Sequence, residues 1–390
     1  MKIAVVARWT SRTFTGVFEV SRRFSQSICE LGQDDVRIFG MEDEFAKADS
    51  PLWQPLQAST FPAKWGTFGY APELTAALLA YKPDVVHVHG IWTYTGIAAL
   101  RCAKTHGTPY MLSPHGMLDP WAVANSGWKK RMARMFYEEA VQSRTACMHA
   151  ATPVELADFR KYGRKNPVCV VPYGVDIPGA NLRGPAPWQN VVPEGAKTIL
   201  FMGRYHPKKG VMPLLQAWKQ CNGEDPRFKN DWHLILVGYD EGGHEGELRS
   251  YVESENLGRH VHFLPPQFGD SRSGAYFNCD AFILPSFSEG LPTAVLLAWA
   301  HEKPVIITKH CNLNPAIDAG AGLIIDPEAK SIAKGLLEFA RMPTNDREAM
   351  GRIGLQLVQK TYVWSEVSKQ LREVYAWMQG GGEKPACVRV

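Results

Sequence analysis

The sequence lacks the features of a secreted, membrane-spanning or zinc-binding protein. Its 8 cysteines are scattered, with no CxxC pair, which is typical of buried, reduced thiols and not of disulfides or zinc ligands. No apolar run approaches the roughly 18 residues of a membrane span. The chain opens on an apolar strand candidate, with neither the basic segment nor the long apolar segment of a signal peptide. We therefore expect a cytoplasmic protein.

A strong charge of one sign is also missing. The 43 Lys and Arg residues nearly balance the 39 Asp and Glu residues, which gives a net charge of +4 at pH 7. No basic stripe interleaved with aromatic residues is present, so we expect no nucleic-acid partner. The composition is that of an ordinary soluble protein, 45% hydrophobic and 21% charged. A chain of 390 residues is long enough for two hydrophobic cores.

Short apolar runs alternate with amphipathic segments along the whole chain. Strand candidates in the first half are residues 2–7, 36–39, 85–89, 110–113, 147–150 and 168–171. Those in the second half are residues 198–202, 233–237, 261–264, 281–284, 305–308 and 322–325. Strands that alternate with helices on this scale predict an α/β protein whose parallel sheets are covered on both faces.

A segment rich in proline and glycine, residues 179–196, separates the two halves and is interpreted as a linker. The predicted domains are therefore residues 1–178 and 197–362, each doubly wound. The last two helices, about 347–360 and 365–379, are expected to have no strand after them. Two such domains that face each other would bind ligands at the carboxyl ends of their strands.

Residues 280–304 contain the most informative local pattern. An apolar strand candidate at 281–284 is followed by a turn, by Pro292 in the first turn of a helix, and by the apolar helix 293–300. This arrangement leaves backbone N–H groups free at a helix N-terminus, which suits a phosphate or diphosphate. Glu289 would repel a phosphate, so we expect it to accept hydrogen bonds from sugar hydroxyls. An ordinary βα unit with a surface glutamate explains the local pattern equally well.

Two cations follow the first strand of the second half. Arg204 and Lys209 lie in Gly-Arg-Tyr-His-Pro-Lys-Lys-Gly and could hold a diphosphate. The alternative is a solvated basic turn, and Lys208 is expected to be solvated. In the first half, Gly16 opens a helix, where it either allows a ligand to approach closely or simply starts the helix.

Histidines cluster at two strand ends of the first half. His115 lies in Ser-Pro-His-Gly-Met-Leu-Asp, a loop fixed by proline and glycine, in which Asp119 is either an acceptor-side base or a turn cap. His87 and His89 point to the same face of their strand. No third metal ligand is near them, so core histidines are favoured over a metal site.

The helix candidate at residues 127–142 carries basic residues beside aromatic residues and methionines. Such a helix can lie on an anionic membrane surface. A helix that packs on the core and has one solvated basic face explains the same pattern.

Taken together, these motifs resemble those of the retaining glycosyltransferases of family 4, also called group 1. They are Pro-Asp-Val-Val-His-Val-His-Gly at 83–90, Ser-Pro-His-Gly-Met-Leu at 113–118, Val-Pro-Tyr-Gly-Val-Asp at 171–176, Gly-Arg at 203–204 with Lys-Gly at 209–210, and Pro-Ser at 285–286 with Glu-Gly-Leu-Pro at 289–292. The resemblance spans nearly the whole chain and implies the GT-B fold, with two Rossmann-like, doubly wound parallel-sheet domains facing across a cleft. It further implies that the first domain binds the acceptor and is completed by the last helix, about 365–380, while the second binds a nucleotide sugar.

The resemblance also implies roles for single residues. Arg204 and Lys209 would neutralise the diphosphate leaving group, Glu289 would hold donor-sugar hydroxyls, and His115 would contact the donor sugar. The donor-binding set would comprise Gly16, Gly203, Gly238, Leu264, Gln267, Gly290, Leu291, Pro292 and Thr293. His89 and Asp119 would lie on the acceptor side. No metal or other cofactor is expected, because the cations and the helix N-terminus would do that work.

The implied function is transfer, with retention, of a sugar from a UDP- or GDP-linked donor to a glycan, lipid-linked or small-molecule acceptor. Polysaccharide, lipopolysaccharide or other glycoconjugate biosynthesis would be its setting, in the cytoplasm or at the inner face of the cell membrane. One position departs from the family pattern. The second glutamate, which takes the ribose hydroxyls, is replaced by Leu297. A weakly active or non-catalytic binding protein is therefore an alternative, as is a GT-B epimerase or phosphorylase.

Overall fold

The computed structural model describes residues 1–124, 127–179 and 184–390. The strands are, in chain order, β1 (Lys2–Trp9), β2 (Asp35–Met41), β3 (Gln57–Phe61), β4 (Val85–His89), β5 (Tyr110–Ser113), β6 (Cys147–Ala150), β7 (Val168–Val170), β8 (Lys197–Met202), β9 (Trp232–Val237), β10 (Val261–Leu264), β11 (Ala281–Leu284), β12 (Val305–Thr308), β13 (Gly322–Ile325) and β14 (Val388–Arg389). Every strand expected from the sequence is present, with small shifts at the ends.

The helices that connect these strands are α1 (Thr15–Glu30), α2 (Ala46–Asp49), α3 (Pro72–Tyr81), α4 (Tyr94–His106), α5 (Pro120–Ala124), α6 (Gly127–Ala133), α7 (Glu139–Ser143), α8 (Pro153–Lys161), α9 (Val211–Glu224), α10 (Pro226–Asp231), α11 (His244–Ser254), α12 (Gly269–Asn278), α13 (Thr293–Ala300), α14 (Asn314–Asp318), α15 (Ala329–Arg341), α16 (Thr344–Leu357) and α17 (Trp364–Met378). A π-helical turn, Arg134–Glu138, joins α6 to α7, and another, Val358–Tyr362, follows α16. Single 3₁₀ turns include Arg12–Phe14, Gly66–Phe68 and Pro207–Lys209.

The chain divides into two compact units. The first consists of Met1–Gly174 together with Trp364–Val390, and the second is Val175–Val363. The C-terminal helix α17 therefore belongs to the first unit. Residues 184–196, expected as part of a linker, belong to the second unit instead, because Trp188 and its neighbours pack into the core of that unit. Residues 180–183 of the expected linker lie outside the described residues.

The sheet of the first unit has the strand order β14-β7-β6-β5-β4-β1-β2-β3. Its strands are parallel except β14, which pairs antiparallel with β7. The expectation that no strand follows the last helices was therefore wrong. The sequence did not reveal β3 either, because its residues, Gln-Ala-Ser-Thr-Phe, are mostly polar and suit an edge strand.

The sheet of the second unit is parallel throughout, with the order β10-β9-β8-β11-β12-β13. Numbered within the unit, this is the 3-2-1-4-5-6 order of dinucleotide-binding domains. The strand order reverses between β8 and β11, because the chain runs from β8 outward to β10 and then returns to β11 on the other side of β8. The loops after these two strands therefore diverge and leave a crevice at their carboxyl ends, where such folds bind ligands. In the first unit the corresponding reversal lies between β1 and β4.

Candidate functional site

Two loops meet at the strand-order reversal of the second unit. The loop after β8 contains the turn Pro207–Lys209 and Gly210, and the loop after β11 begins at Pro285. Gly210 has a φ of 71°, and a Cβ there would collide with the Pro285 carbonyl group. The Phe287 amide also donates to the Lys208 carbonyl oxygen at 2.8 Å. Glycine is thus required at 210, both for its backbone conformation and for the close packing that joins the loops.

This junction brings together an ammonium and a carboxylate. Lys209 Nζ donates to Glu289 Oε1 at 2.6 Å, and the buried Ser286 hydroxyl donates to the same oxygen at 2.6 Å. The side chains of Lys209 and Glu289 are 17% and 11% exposed. The Asn312 amide holds the Glu289 carbonyl oxygen at 2.7 Å. Within the described part of the chain, Glu289 Oε2 accepts no hydrogen bond, so that oxygen can take a ligand hydroxyl.

The N-terminus of α13 adds hydrogen-bond donors beside this pair. Pro292 is the N-cap residue of this helix, one position before the first helical turn in which we had expected it. Its carbonyl oxygen accepts from the Val295 amide at 3.0 Å. The amides of Gly290, Leu291 and Thr293 have no acceptor among the described residues. Free amides at a helix N-terminus are a binding site for an anionic group.

The second cation expected here has an exchangeable partner. Arg204 Nη1 contacts both carboxylate oxygens of Glu241, at 2.7 and 2.6 Å. The two side chains are 49% and 42% exposed. Such exposed ion pairs contribute little to stability. Arg204 can therefore exchange Glu241 for a ligand phosphate at small cost.

The remaining residues of the expected donor set line the neighbouring strand ends. A Cβ on Gly238 would collide with the carbonyl oxygen of Gly203, so these two strand ends pack backbone against backbone. The Gly238 amide donates to the Leu264 carbonyl oxygen at 3.3 Å. Gln267 lies just beyond, where its side-chain amide donates to the Pro265 carbonyl oxygen at 2.8 Å. The fold thus brings these four residues to one edge of the sheet.

Leu297 lies on α13, where its side chain is half-buried against the hydrophobic core of the second unit. Its carbonyl oxygen accepts from the His301 ring at 2.7 Å. An aliphatic side chain offers no hydrogen bond to a ribose hydroxyl. Leu297 therefore cannot replace the second glutamate of the family pattern as a ligand of the ribose.

In the first unit, His115 belongs to a line of hydrogen-bonded side chains. Its Nδ1 pairs with the Tyr173 hydroxyl at 2.9 Å and its Nε2 with His89 Nδ1 at 2.9 Å. The His89 and His115 rings stack with centroids 5.1 Å apart. His89 is 0% exposed, so it is placed to support His115 and has no surface for contact with an acceptor.

A second line of hydrogen bonds lies directly behind the first. His87 Nε2 pairs with the Ser113 hydroxyl at 2.6 Å and its Nδ1 with the Tyr375 hydroxyl at 2.5 Å. Ser113 also contacts His149 Nδ1 at 2.7 Å, and His149 Nε2 donates to the Val171 carbonyl oxygen. Because Tyr375 is on α17, the C-terminal helix completes this network.

Burial keeps these imidazoles neutral. It lowers the pKa of His115 to about 3 and that of His149 to about 4. The pKa values of His87 and His89 also fall well below the usual range, because burial disfavours the charged ring and neighbouring histidines repel one another. The cluster can therefore donate and accept hydrogen bonds near pH 7 without carrying charge.

Glu155 holds the loop that carries His115. His115 has a φ of 51°, in the left-handed region, and Gly116 follows at 76°. The buried Glu155 carboxylate accepts from the Ala151 amide at 2.6 Å and from the Gly116 amide, and burial raises its pKa to about 7. The sequence motifs did not assign a role to Glu155, Tyr173 or His149. Thr152 with Glu155 three residues later is a helix-start signature that could have pointed to the first of these.

The two other predicted residues of this unit have modest contacts. Asp119 Oδ1 accepts from the Ala122 amide at 3.2 Å, which is the cap-like contact considered as an alternative for it. Gly16 is the second residue of α1, is exposed, and has room for a Cβ. The chain itself therefore does not require glycine at 16. A ligand that approaches the backbone would give a reason for it.

The basic helix of the first unit exposes apolar side chains. Along α6 and the π turn, Met135 and Phe136 are 73% and 71% exposed, and Trp128 and Met132 are also exposed. The alternative of a helix packed on the core through these residues therefore does not hold. The side chain of Lys129 lies outside the described residues.

The described residues contain neither a metal-ligand cluster nor a membrane-spanning helix. No group of three or more His, Cys, Asp or Glu side chains there could hold a metal ion. In residues 1–124, 127–179 and 184–390, no helix is both long and apolar enough to span a membrane.

Known sequence families match most of the chain. The family described as "Glycosyl transferase 4-like domain" matches residues 15–174, and "Glycosyl transferases group 1" matches residues 184–356. These ranges contain all but one of the motifs noted above in full, and the Val-Pro-Tyr-Gly-Val-Asp motif overlaps the end of the first. The two matches therefore identify the same family that the ordered motifs resemble.

Individual relatives are distant. The D-inositol 3-phosphate glycosyltransferase of Salinispora tropica is 26% identical over 311 residues, which are 75% of this chain and 63% of that protein. The chain thus matches less than two thirds of that relative's length. The GDP-mannose:cellobiosyl-diphosphopolyprenol alpha-mannosyltransferase of Xanthomonas campestris is 22% identical over 382 residues, 94% of each chain.

Solved structures agree with the fold. The structure of Anabaena HepE in complex with UDP-glucose has a TM-score of 0.75 and 18% identity, and it covers 97% of this chain and 100% of that one. Likeness at this identity establishes the architecture of two parallel-sheet α/β domains. Together with the family matches, it places the chain among the group 1 glycosyltransferases, with the GT-B fold.

Proposed function

We propose that the chain is a retaining glycosyltransferase that moves a sugar from a nucleotide-sugar donor to a glycan, lipid-linked or small-molecule acceptor. Polysaccharide, lipopolysaccharide or other glycoconjugate biosynthesis is its proposed setting. The observation that carries the proposal is the Lys209–Glu289 pair beside the unpaired amides of the α13 N-terminus. This site offers positive charge to a phosphate and a carboxylate oxygen to a hydroxyl. A nucleotide sugar presents these two groups side by side.

In this proposal, the cations and the carboxylate of the site bind different parts of the donor. Lys209 and Arg204 stabilise the negative charge that grows on the diphosphate as the glycosidic bond breaks. Glu289 holds sugar hydroxyls through Oε2. Gly203, Gly238, Leu264 and Gln267 lie toward the base, and Gly16 lets the first loop approach the phosphates. These cations and amides replace a metal ion, so transfer is metal-independent.

In this proposal, retention results from attack on the same face from which the diphosphate leaves. This route uses no carboxylate nucleophile, so Glu289 is free to serve as a hydroxyl ligand. His115, kept neutral by burial, contacts a donor-sugar hydroxyl. His89 keeps the ring of His115 in place, and Asp119 stays a candidate on the acceptor side.

A nucleotide panel tests the donor site. The names of the similar proteins include GDP-mannose and UDP-glucose, which favours a GDP- or UDP-linked donor. Thermal melts with UDP, GDP, ADP and TDP, each with magnesium or EDTA, should show one nucleotide that stabilises the fold regardless of metal. A ligand at 100 times its Kd contributes about 2.7 kcal/mol. No shift with any nucleotide would instead favour a non-catalytic protein, the alternative that Leu297 suggests.

We also propose peripheral contact of the first unit with an anionic membrane, at the inner face of the cell membrane. The exposed Met135 and Phe136, next to basic side chains, support it. Cosedimentation with phosphatidylglycerol vesicles should recover the wild type and lose the Met135→Ser, Phe136→Ser double variant. Val154→Ser, which alters an exposed valine on α8, is the control. Equal recovery with and without vesicles contradicts the proposal.

A further inference from the structure

Arg8 lies in a bulge at the carboxyl end of β1, where the strand order of the first unit reverses. Ala7 pairs with Gly40 of β2, but Trp9 pairs with Met41, so Arg8 is the extra residue on this strand. On the other side of β1, Ala7 pairs with His89, the last residue of β4. Bulges re-aim a side chain and are over-represented next to active sites. This one places an arginine beside the end of the strand that carries the histidine cluster.

The guanidinium of Arg8 has no anionic partner in residues 1–124, 127–179 and 184–390. In the described residues it takes part in no hydrogen bond and no ion pair, and its Nε is buried without an acceptor. It lies over the face of the Trp9 ring, 4.5 Å from the centroid. Burial lowers the pKa of Arg8, and no carboxylate acts in the opposite direction. A partly buried charge without a partner costs free energy, so its retention needs a reason.

Other arginines close to Arg8 in sequence and in the sheet have partners. Arg12, four residues later, donates through Nε to the buried Asp49 carboxylate at 2.9 Å. Arg37 on β2 also stacks on an aromatic ring, that of Tyr81, but it has Asp35 at 3.6 Å. The local fold therefore supplies carboxylates to arginines in similar settings and leaves Arg8 without one.

We propose that Arg8 binds an anionic group, a phosphate or a carboxylate, on the acceptor sugar. The inference rests on the proposed transferase function and names the class of its acceptor. The planar guanidinium matches the two oxygens of either group, and stacking on Trp9 fixes its plane. The donor diphosphate already has Lys209, Arg204 and the α13 N-terminus in the second unit. The proposal assigns Arg8 to the anion of the acceptor, and the nucleotide measurements below distinguish this assignment from a contact with the donor diphosphate.

The surroundings of Arg8 suit a sugar ring. Trp9 packs against the same hydrophobic core as Phe68 and Tyr70, which lie in the loop after β3. Trp65 of the same loop stacks on Tyr70 with ring centroids 4.4 Å apart and is 69% exposed. The Trp9 face next to a single arginine favours a ring that carries one negative group over a free inorganic ion.

The test compares charged and neutral sugars as probes on the full chain. Ligand-observed NMR titrations with glucose 6-phosphate, glucuronate and glucose should show that the charged sugars bind at least about tenfold more tightly, since each gains charge-assisted hydrogen bonds. Arg8→Ala should abolish this preference and Arg8→Lys should keep part of it. Arg37→Ala is the matched control and should keep all of it. Melting curves establish that each variant folds.

Nucleotide binding, measured on the same proteins, separates the two sources of the anion. The proposal requires that the Kd for UDP or GDP is the same in the wild type and in Arg8→Ala. A loss of nucleotide affinity with unchanged sugar binding would assign Arg8 to the donor diphosphate and overturn the proposal. It is also overturned if no charged sugar binds, or if Arg8→Ala keeps the preference. If charged sugars bind through Arg8 but no nucleotide binds, the proposed transferase function is contradicted, whereas the anion site at Arg8 is supported.

Discussion

The two units share a topology but differ in the chemistry at the point where their strand order reverses. In the second unit, Lys209 and Glu289 form a charged pair whose side chains are 17% and 11% exposed. In the first, His89 and His115 belong to a cluster of imidazoles that burial keeps neutral. The fold determines where ligands can bind, and the side chains determine which groups they recognise.

The difference has a simple electrostatic origin. The opposite charges of Lys209 and Glu289 attract each other at 2.6 Å, which offsets part of the cost of excluding water from them. Imidazoles stacked on one another have no counter-ion, and each protonation would oppose the next. The loops around Lys209 are therefore suited to a diphosphate, and the histidine cluster of the first unit is suited to neutral hydroxyls. The following predictions test this contrast, from the largest expected effect to the smallest.

Removal of either charge from the second unit should have the largest effect. We expect Lys209→Ala and Glu289→Ala each to lower the rate of sugar transfer at least about 100-fold, because each acts where charge or hydrogen bonding grows in the transition state. Labelled-sugar transfer and thermal melts would measure rate and folding together. Lys208→Ala, which leaves intact the backbone bond to Phe287, is the control. Turnover like that of the wild type in both variants would contradict the role of the pair.

Substitution of His115 in the histidine cluster should lower the rate of sugar transfer by a smaller factor. His115→Ala should lower kcat about tenfold, the value of one hydrogen bond of roughly 1.4 kcal/mol. Because the pKa of His115 is about 3, the rate should show no titration of this residue between about pH 5 and 8. His106→Ala, at an exposed position on α4, is the control. A rate step near pH 6.5 that disappears in His115→Ala would show that the ring works in its charged form.

Adding a carboxylate to the second unit should sharpen the contrast. Leu297→Glu is expected to tighten nucleotide binding about tenfold, because it supplies an ionised acceptor for ribose hydroxyls. Leu297→Gln separates charge from shape, since it has a similar size and no charge. Titration calorimetry with the preferred nucleotide would measure the affinity of the wild type and of both variants. Equal affinity in all three proteins would mean that other groups already hold the ribose.

The neutral cluster should also make stability depend on pH. Below pH 6.5 the unfolded chain protonates His87, His89, His115 and His149, whereas the folded chain does not, so the free energy of unfolding should fall as the pH drops from 6.5 towards 4. Each buried histidine contributes up to about 1.4 kcal/mol per pH unit. Urea titrations across this range would measure the slope.

Two buried carboxyls act in the opposite sense. The pKa values of Glu138 and Glu155 are raised to about 7 from 4.5. Their contribution to the free energy of unfolding is therefore lost as the pH rises from 4.5 to 7. The histidines outnumber them and decide the net sign. His149→Gln should reduce the pH slope by about one proton, and His106→Gln should leave it unchanged. A slope that His149→Gln does not alter would mean that His149 takes up a proton in the folded state.

Local sequence patterns alone determine most of the strands and several of the candidate site residues. The apolar runs gave the strands from β4 to β13, because a buried parallel strand needs a short apolar run wherever it lies. The turn at Pro285–Gly290 and the helix after it followed from local chemistry in the same way. The same patterns identified Lys209, Glu289 and His115 as candidates, since residue types at strand ends are visible in the sequence itself.

Tertiary structure decided which of these residues meet. Lys209 and Glu289 are 80 residues apart, and His87 and Tyr375 are 288 apart. No local period encodes such pairs, because they depend on which strands become neighbours in the sheet. The same holds for β14, which forms only where the edge of β7 is available. It holds most clearly for Arg8, because only the packed structure shows that neither neighbouring strand brings a carboxylate to it.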